Sequence, residues 1–148
     1  PEEIREMKVT TRSSYTVRAL IDLARHSNGG VPVRLSEISE REGISHAYLE
    51  QLFNRLKKAQ LVKGRKGPGG GYVLNRDPDG IRMGDVIRAV EGEEKGFPCA
   101  GELDGHQECP RRPFCTSHQL WDQLAAKMHA CLNSVSLSEL LKDNRKAD

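Results

Sequence analysis

The sequence predicts a mainly α fold with a small β wing: a winged helix-turn-helix followed by a long C-terminal dimerisation helix. Three observations predict it. Two amphipathic segments meet at Gly43 and the chain is re-capped at Ser45, which is the pattern of two helices joined by a tight turn. A glycine run, Gly67-Pro68-Gly69-Gly70-Gly71, separates two short strand-like segments. Near the end of the chain an apolar stripe, Trp121, Leu124, Met128, Leu132 and Val135, recurs at helical spacing.

Each element follows in order. Val17, Leu20, Ile21 and Ala24 recur at i, i+3, i+4 and i+7, so Thr11–His26 reads as an amphipathic helix closed by Asn28-Gly29-Gly30. After Pro32, Ser36 is the expected N-cap of a short helix that stops at Gly43. Ser45 caps a longer helix to about Ala59, with Leu49, Leu52, Phe53 and Leu56 as its buried stripe. His46, Ala47, Glu50, Gln51, Asn54 and Lys58 then face outward. Residues 61–66 and 72–75 read as strands around the glycine run, the shape of a wing. Met83, Val86, Ile87 and Val90 make a further helix ending at Gly92. Thr116 with Gln119, and Ser136 with Glu139, are expected capping boxes for the long helix and a short terminal one. The organisation expected is a DNA-binding module over residues 7–92, a ligand loop over 93–117, and dimerisation and terminal helices over 118–142. Residues 1–6 precede a plausible start at Met7 and are given no role.

Composition narrows the class without naming it. Of 148 residues 36% are apolar and 30% charged, and the net charge is only +2, so global charge neither demands nor excludes nucleic acid. There is no apolar run near the ~18 residues of a membrane span and no signal-peptide core, so a cytoplasmic protein without membrane contact is expected. Three of the 4 cysteines crowd one stretch, which in a reducing compartment points to metal or redox chemistry over a disulfide framework.

The outward face of the second helix-turn-helix helix carries groups suited to bases. Gln51 and Asn54 can make bidentate contacts to adenine, and the Glu50 carboxylate can accept from cytosine N4. Arg12, Arg55, Lys57, Lys58, Lys63, Arg65 and Lys66 are candidates for phosphate contacts, and a basic wing tip for entry into the minor groove. A charged helix face is by default only solvated; the conjunction of helix-turn-helix, wing and basic tip is what favours double-stranded DNA. Arg12, Ala47, Glu50, Gln51, Asn54, Arg65 and Lys66 are therefore the candidate DNA-contacting residues. His46 is expected to meet DNA or solvent. A long apolar stripe beyond a module that closes its own core favours a homodimer, which would present two reading helices to half-sites spaced by helical turns.

Cys99, Cys109, Cys115 and His118 are spaced C-x9-C-x5-C-x2-H. Thiolate and imidazole donors suit zinc and iron–sulfur centres alike. Structural zinc sites favour paired C-x2-4-C knuckles, absent here, whereas a 2Fe–2S cluster needs four ligands wrapped around a larger object, which a loop rich in glycine and proline allows. His106 is a competing ligand ranked second. His129 and Cys131 are expected to be packing residues.

Residues 7–142 resemble the IscR/NsrR family of bacterial winged-helix transcription regulators. The resemblance is carried by M-K-V-T-T-R-S-S-Y-T-V-R-A-L from Met7, I-S-E-R-E-G-I-S-H-A-Y-L-E-Q-L-F-N-R-L from Ile38, G-P-G-G-G-Y from Gly67, and C-x5-C-x2-H ending at His118. It implies a homodimer with a 2Fe–2S cluster on Cys99, Cys109, Cys115 and His118, bases read by Glu50 and Gln51, and control of iron–sulfur cluster assembly genes. Three features depart from the family pattern or divide it. Cys99 and Cys109 are farther apart, Lys66 stands where an arginine is usual, and Ser14 occupies the place of the acidic ligand of nitric-oxide-sensing relatives. The expected function is thus a cluster-sensing transcription regulator without small-molecule substrate. The alternatives are a nitric-oxide-responsive relative, a cluster-free thiol or zinc repressor, or an iron–sulfur carrier or electron-transfer protein. No nucleophile–base constellation suggests an enzyme, and the glycine run lacks the Lys-Ser/Thr ending of a phosphate-binding loop.

Overall fold

The computed structural model of the chain describes residues 10–91 and 114–142, and every structural statement concerns these. Six α-helices and one two-stranded antiparallel sheet are present among them. Helix α1, Thr11–His26, is capped by the Thr10 hydroxyl, which accepts from the Arg12 N–H, and has Arg25 and His26 in its last turn, where cations suit the helix dipole. Its fully buried residues are Ser13, Thr16, Ala19, Leu20, Asp22 and Leu23, while Val17, Ile21 and Ala24 are half-buried at the flank. The expected stripe is therefore rotated. α1 is central, with other helices and the sheet packed on several sides, so its apolar pattern alone does not define its most buried line.

Helix α2, Leu35–Glu42, starts earlier than expected, and Ser36 lies inside it instead of capping it. The preceding backbone explains this. Val33 and Tyr72 exchange N–H···O bonds of 2.9 and 2.8 Å, so the chain leaves an isolated bridge at Val33 and turns into the helix at once, with Arg34 at the cap position and no side-chain cap. α2 ends at Gly43, whose φ of 68° is left-handed and whose N–H donates to Ser39 O at 2.9 Å. Helix α3, His46–Lys58, is capped by the Ser45 hydroxyl, which accepts from the Tyr48 N–H at 3.2 Å. It buries Leu49, Leu52, Phe53 and Leu56 as its spacing requires.

Strands β1, Val62–Arg65, and β2, Gly71–Leu74, pair in the register Val62↔Leu74 to Arg65↔Gly71. After a 3-10 turn at Pro78–Gly80 comes α4, Met83–Glu91; the expected stop at Gly92 lies outside the described residues. Helix α5, His118–Ser134, is followed by α6, Leu137–Leu141, whose Ser136 cap accepts from the Glu139 N–H. The Thr116–Gln119 box is not formed: α5 begins at His118, with Ser117 at the cap position in helical conformation and no side-chain cap.

One core is built from Leu20, Leu23, Ile38, Leu49, Leu52, Phe53, Leu56, Leu61, Ile81 and Leu137, each under 2% exposed. The long apolar stripe divides. Leu132 and Val135 join this core, whereas Trp121 and Met128 pack on Ala125 as a separate small cluster. The C-terminal end of α5 is also tied by backbone: Met83 N–H donates to Val135 O at 2.9 Å and Leu137 N–H to Ile81 O at 2.8 Å. No helix of the described residues is long and apolar enough to cross a membrane.

Candidate nucleic-acid interface and ligand turn

All six residues expected to face outward from α3, namely His46, Ala47, Glu50, Gln51, Asn54 and Lys58, are exposed. The helix is held firmly beneath them. Its buried stripe is anchored in the core, and Phe53 also meets the Tyr72 ring of β2 at a centroid distance of 5.0 Å, which fixes the sheet against the helix. Between the two elements runs a groove of about 360 Å³ lined by Arg34, His46, Glu50, Asn54 and Tyr72, among others. Arg34 and Tyr72 were not singled out by sequence reasoning. The long-range Val33–Tyr72 bridge brings them beside the helix face.

Within the groove the His46 imidazole and Glu50 carboxylate form an i,i+4 pair, Nδ1 to Oε1 3.1 Å. Lys63, Arg65 and Lys66 are exposed on the wing. The wing turn needs glycine at two points: a Cβ on Gly70 would lie 2.2 Å from Arg65 O, and one on Gly71, at φ 155°, 2.5 Å from Val33 O. The turn is thus closed by backbone packing, with its charged side chains left outside.

Arg12 is placed differently from the other candidates. Its guanidinium, 40% exposed, donates to Val90 O at 3.1 Å and lies 3.8 Å from Glu91 Oε1. Arg55 of α3 donates to the same carbonyl at 2.6 Å. The C-terminus of α4, where helix carbonyls lack partners, is therefore clamped by cations from α1 and α3. Glu91 completes this junction. Its carboxylate accepts from the Thr10 N–H at 3.1 Å and from the Thr10 and Ser13 hydroxyls. Burial pushes the Glu91 carboxyl up, but the Ser13 and Thr10 donors and the nearby Arg12 outweigh it and hold the group below its ordinary value. Nothing in the sequence pattern marks Glu91; its partners are about eighty residues away along the chain.

Of the four expected cluster ligands, Cys115 and His118 are described; Cys99, Cys109 and the rival His106 lie outside the described residues. Cys115 is half-buried and His118 opens α5 one turn later, with its N–H donating to Cys115 O at 3.4 Å. The Cys115 sulfur lies 2.9 Å from the Ser117 hydroxyl, and His118 Nδ1 lies 3.4 Å from Asp122 Oδ2. Cys131, expected as a packing residue, is exposed on α5. The donor chemistry of the turn fits an iron–sulfur centre: a thiol and an imidazole three residues apart, with a carboxylate 3.4 Å from one ring nitrogen. Among the described residues no three His, Cys, Asp or Glu side chains converge on one point, so this pair needs donors from elsewhere to complete a site.

Comparison with known proteins adds a consistent picture. The Rrf2 family model, described as "Iron-dependent Transcriptional regulator", matches residues 9–143. The HTH-type transcriptional regulator IscR of Photobacterium profundum is 45% identical over 138 residues, covering 93% of this chain and 77% of that one. Its namesake from Sodalis glossinidius is 44% identical over 142 residues, covering 96% and 83%. Among solved structures, T. potens IscR superposes with a TM-score of 0.74 at 37% identity, covering 95% of this chain and 90% of that one. CymR (YrzC), the global cysteine regulator of B. subtilis, superposes with a TM-score of 0.75 at 31% identity, covering 93% and 98%.

Proposed function

The chain belongs to the Rrf2 family of iron-dependent transcriptional regulators, and on that footing we propose that it is a homodimeric, cluster-sensing regulator of promoter DNA. In this reading Cys99, Cys109, Cys115 and His118 hold a 2Fe–2S cluster, and the genes controlled are those of iron–sulfur cluster assembly. Gln51, Asn54 and Glu50 read base edges, Ala47 packs against them, and Arg65 and Lys66 carry the wing to the minor groove. Arg12 fixes the C-terminus of α4 and remains exposed enough to reach a phosphate. The observation that carries the proposal is the position of Cys115 and His118: both donors sit at the head of α5, and the tail of that helix is hydrogen-bonded into the winged module at Met83 and Ile81.

The cluster, when bound, would supply a redox- and iron-dependent cross-link between the loop and the head of α5. The protein's own residues do the rest. Asp122 orients the His118 ring, and the backbone bonds at Val135 and Leu137 pass a displacement of α5 to α4. Arg55 and Arg12, both bonded to Val90 O, link α4 to the reading helix and to α1. In a dimer, a small rotation of α5 would change the spacing of the two reading helices, which alters DNA affinity without altering any base contact.

Anaerobic purification with iron and sulfide analysis tests the proposal. Stoichiometric iron and sulfide with visible charge-transfer absorption are expected, each lost on replacing Cys99, Cys109, Cys115 or His118 singly. Zinc in place of iron, or no metal at all, would overturn cluster binding in favour of a zinc or thiol repressor.

A further inference from the structure

We propose that His46 is a positioning residue for sequence recognition: by pairing with Glu50 through Nδ1 it sets where that carboxylate points, and so which base pairs the reading helix discriminates. This inference rests on the DNA interface proposed above and deepens it.

Three observations carry it. His46, Glu50 and Asn54 stand at i, i+4 and i+8 on one line of α3, and all three line the groove between that helix and the wing. His46 Nδ1 and Glu50 Oε1 are 3.1 Å apart, a close i,i+4 contact between the two side chains. His46 is also the first residue of a helix whose start is fixed, because the Ser45 hydroxyl holds the Tyr48 N–H; the imidazole is presented from an ordered turn.

The physical consequence follows from what a carboxylate does at DNA. Phosphates repel it, and it is accommodated only where a donor such as cytosine N4 meets it. A free glutamate samples many rotamers and so must be ordered on binding. Paired with His46, Glu50 keeps one oxygen engaged and offers the other in a preferred direction. An exposed i,i+4 pair contributes little to folding, so its removal perturbs recognition without perturbing the fold.

The test uses the full chain loaded as purified anaerobically. A randomised duplex library first yields the sequence that the wild type selects. Affinities are then measured at one salt concentration for that duplex and for versions with each base pair replaced in turn. Glu50→Ala is expected to flatten the preference at one or two base pairs. His46→Ala is expected to reduce the preference at those same positions by about 3- to 10-fold, a fraction of what one good base contact discriminates. Affinity for random-sequence duplex should be unchanged. His46→Asn, which places an amide N–H near the position of Nδ1, should restore the preference, and the His46→Ala/Glu50→Ala double variant should match Glu50→Ala alone. An unchanged preference in His46→Ala, a change at other positions, or independent effects in the double variant would overturn the role of His46 while leaving Glu50 a reader. If the wild type selects no sequence, or Glu50→Ala shifts no preference, the interface reading fails and this inference with it.

Discussion

At Glu91 a single carboxylate, 4% exposed, collects donors from Thr10 and Ser13 and the charge of Arg12 beside the first turn of α1. Because its folded pKa is depressed, its contribution to stability is complete above the ordinary carboxylate range and is lost as pH falls through the folded value. Glu91→Gln is expected to destabilise the protein by about 1–3 kcal/mol at neutral pH, the scale of a buried charged hydrogen-bonding group losing its match. Urea titrations checking this should show the gap between wild type and variant closing as the solution is acidified through that value. The same residue shows where sequence reading stops. Ser45 and Gly43 were legible because a cap and a left-handed turn are decided within four residues. Arg12 and Glu91 were not, because a guanidinium or a carboxylate near a helix end gives no sign of the remote carbonyl or hydroxyl that claims it. Ser36 and Thr116 erred for a related reason: their residue types suit a cap, but the Val33–Tyr72 bridge and the turn through Cys115 set where the helices begin.

The reading helix and the wing depend on two local devices that can be removed one at a time. Ser45→Ala takes away the only side-chain acceptor found at the start of α3 among the described residues and should cost about 0.5–2 kcal/mol in thermal or urea unfolding. Ser36→Ala, inside α2, removes no cap and should leave the transition where it is. Gly71→Ala would push a methyl group to within 2.5 Å of Val33 O, against the bridge that joins the wing to the start of α2. Overpacking of that kind costs about 1–3 kcal/mol. It should also weaken binding to all duplexes alike, measured by fluorescence anisotropy, because the wing's basic residues lose their placement and not a base contact. At this scale the fold was well anticipated: the three buried leucines and Phe53 of α3 and the antiparallel wing follow directly from spacing and from the glycine run.

Across the whole molecule the long helix joins two chemistries. Its tail, through Leu132 and Val135, belongs to the core of the winged module, while its head carries His118, one turn after Cys115, and leaves Leu120 57% and Leu124 36% exposed. The stripe read from the sequence was one line of apolar residues; packing divides it, because only its C-terminal third meets the core. The exposed part is the proposed dimer face. Leu124→Glu should yield a monomer in sedimentation experiments with the thermal transition of the winged module retained. The central claim, that a cluster at the head of α5 governs DNA binding at α3, is tested most directly by one comparison: the affinity of anaerobically purified protein for its selected duplex before and after removal of iron by chelation. We predict a change of about tenfold or more, the range of typical coupling free energies between sites, and no change when the same treatment is applied to a His118→Ala variant. Equal affinity of the iron-loaded and iron-free wild type on every duplex it selects would contradict the account.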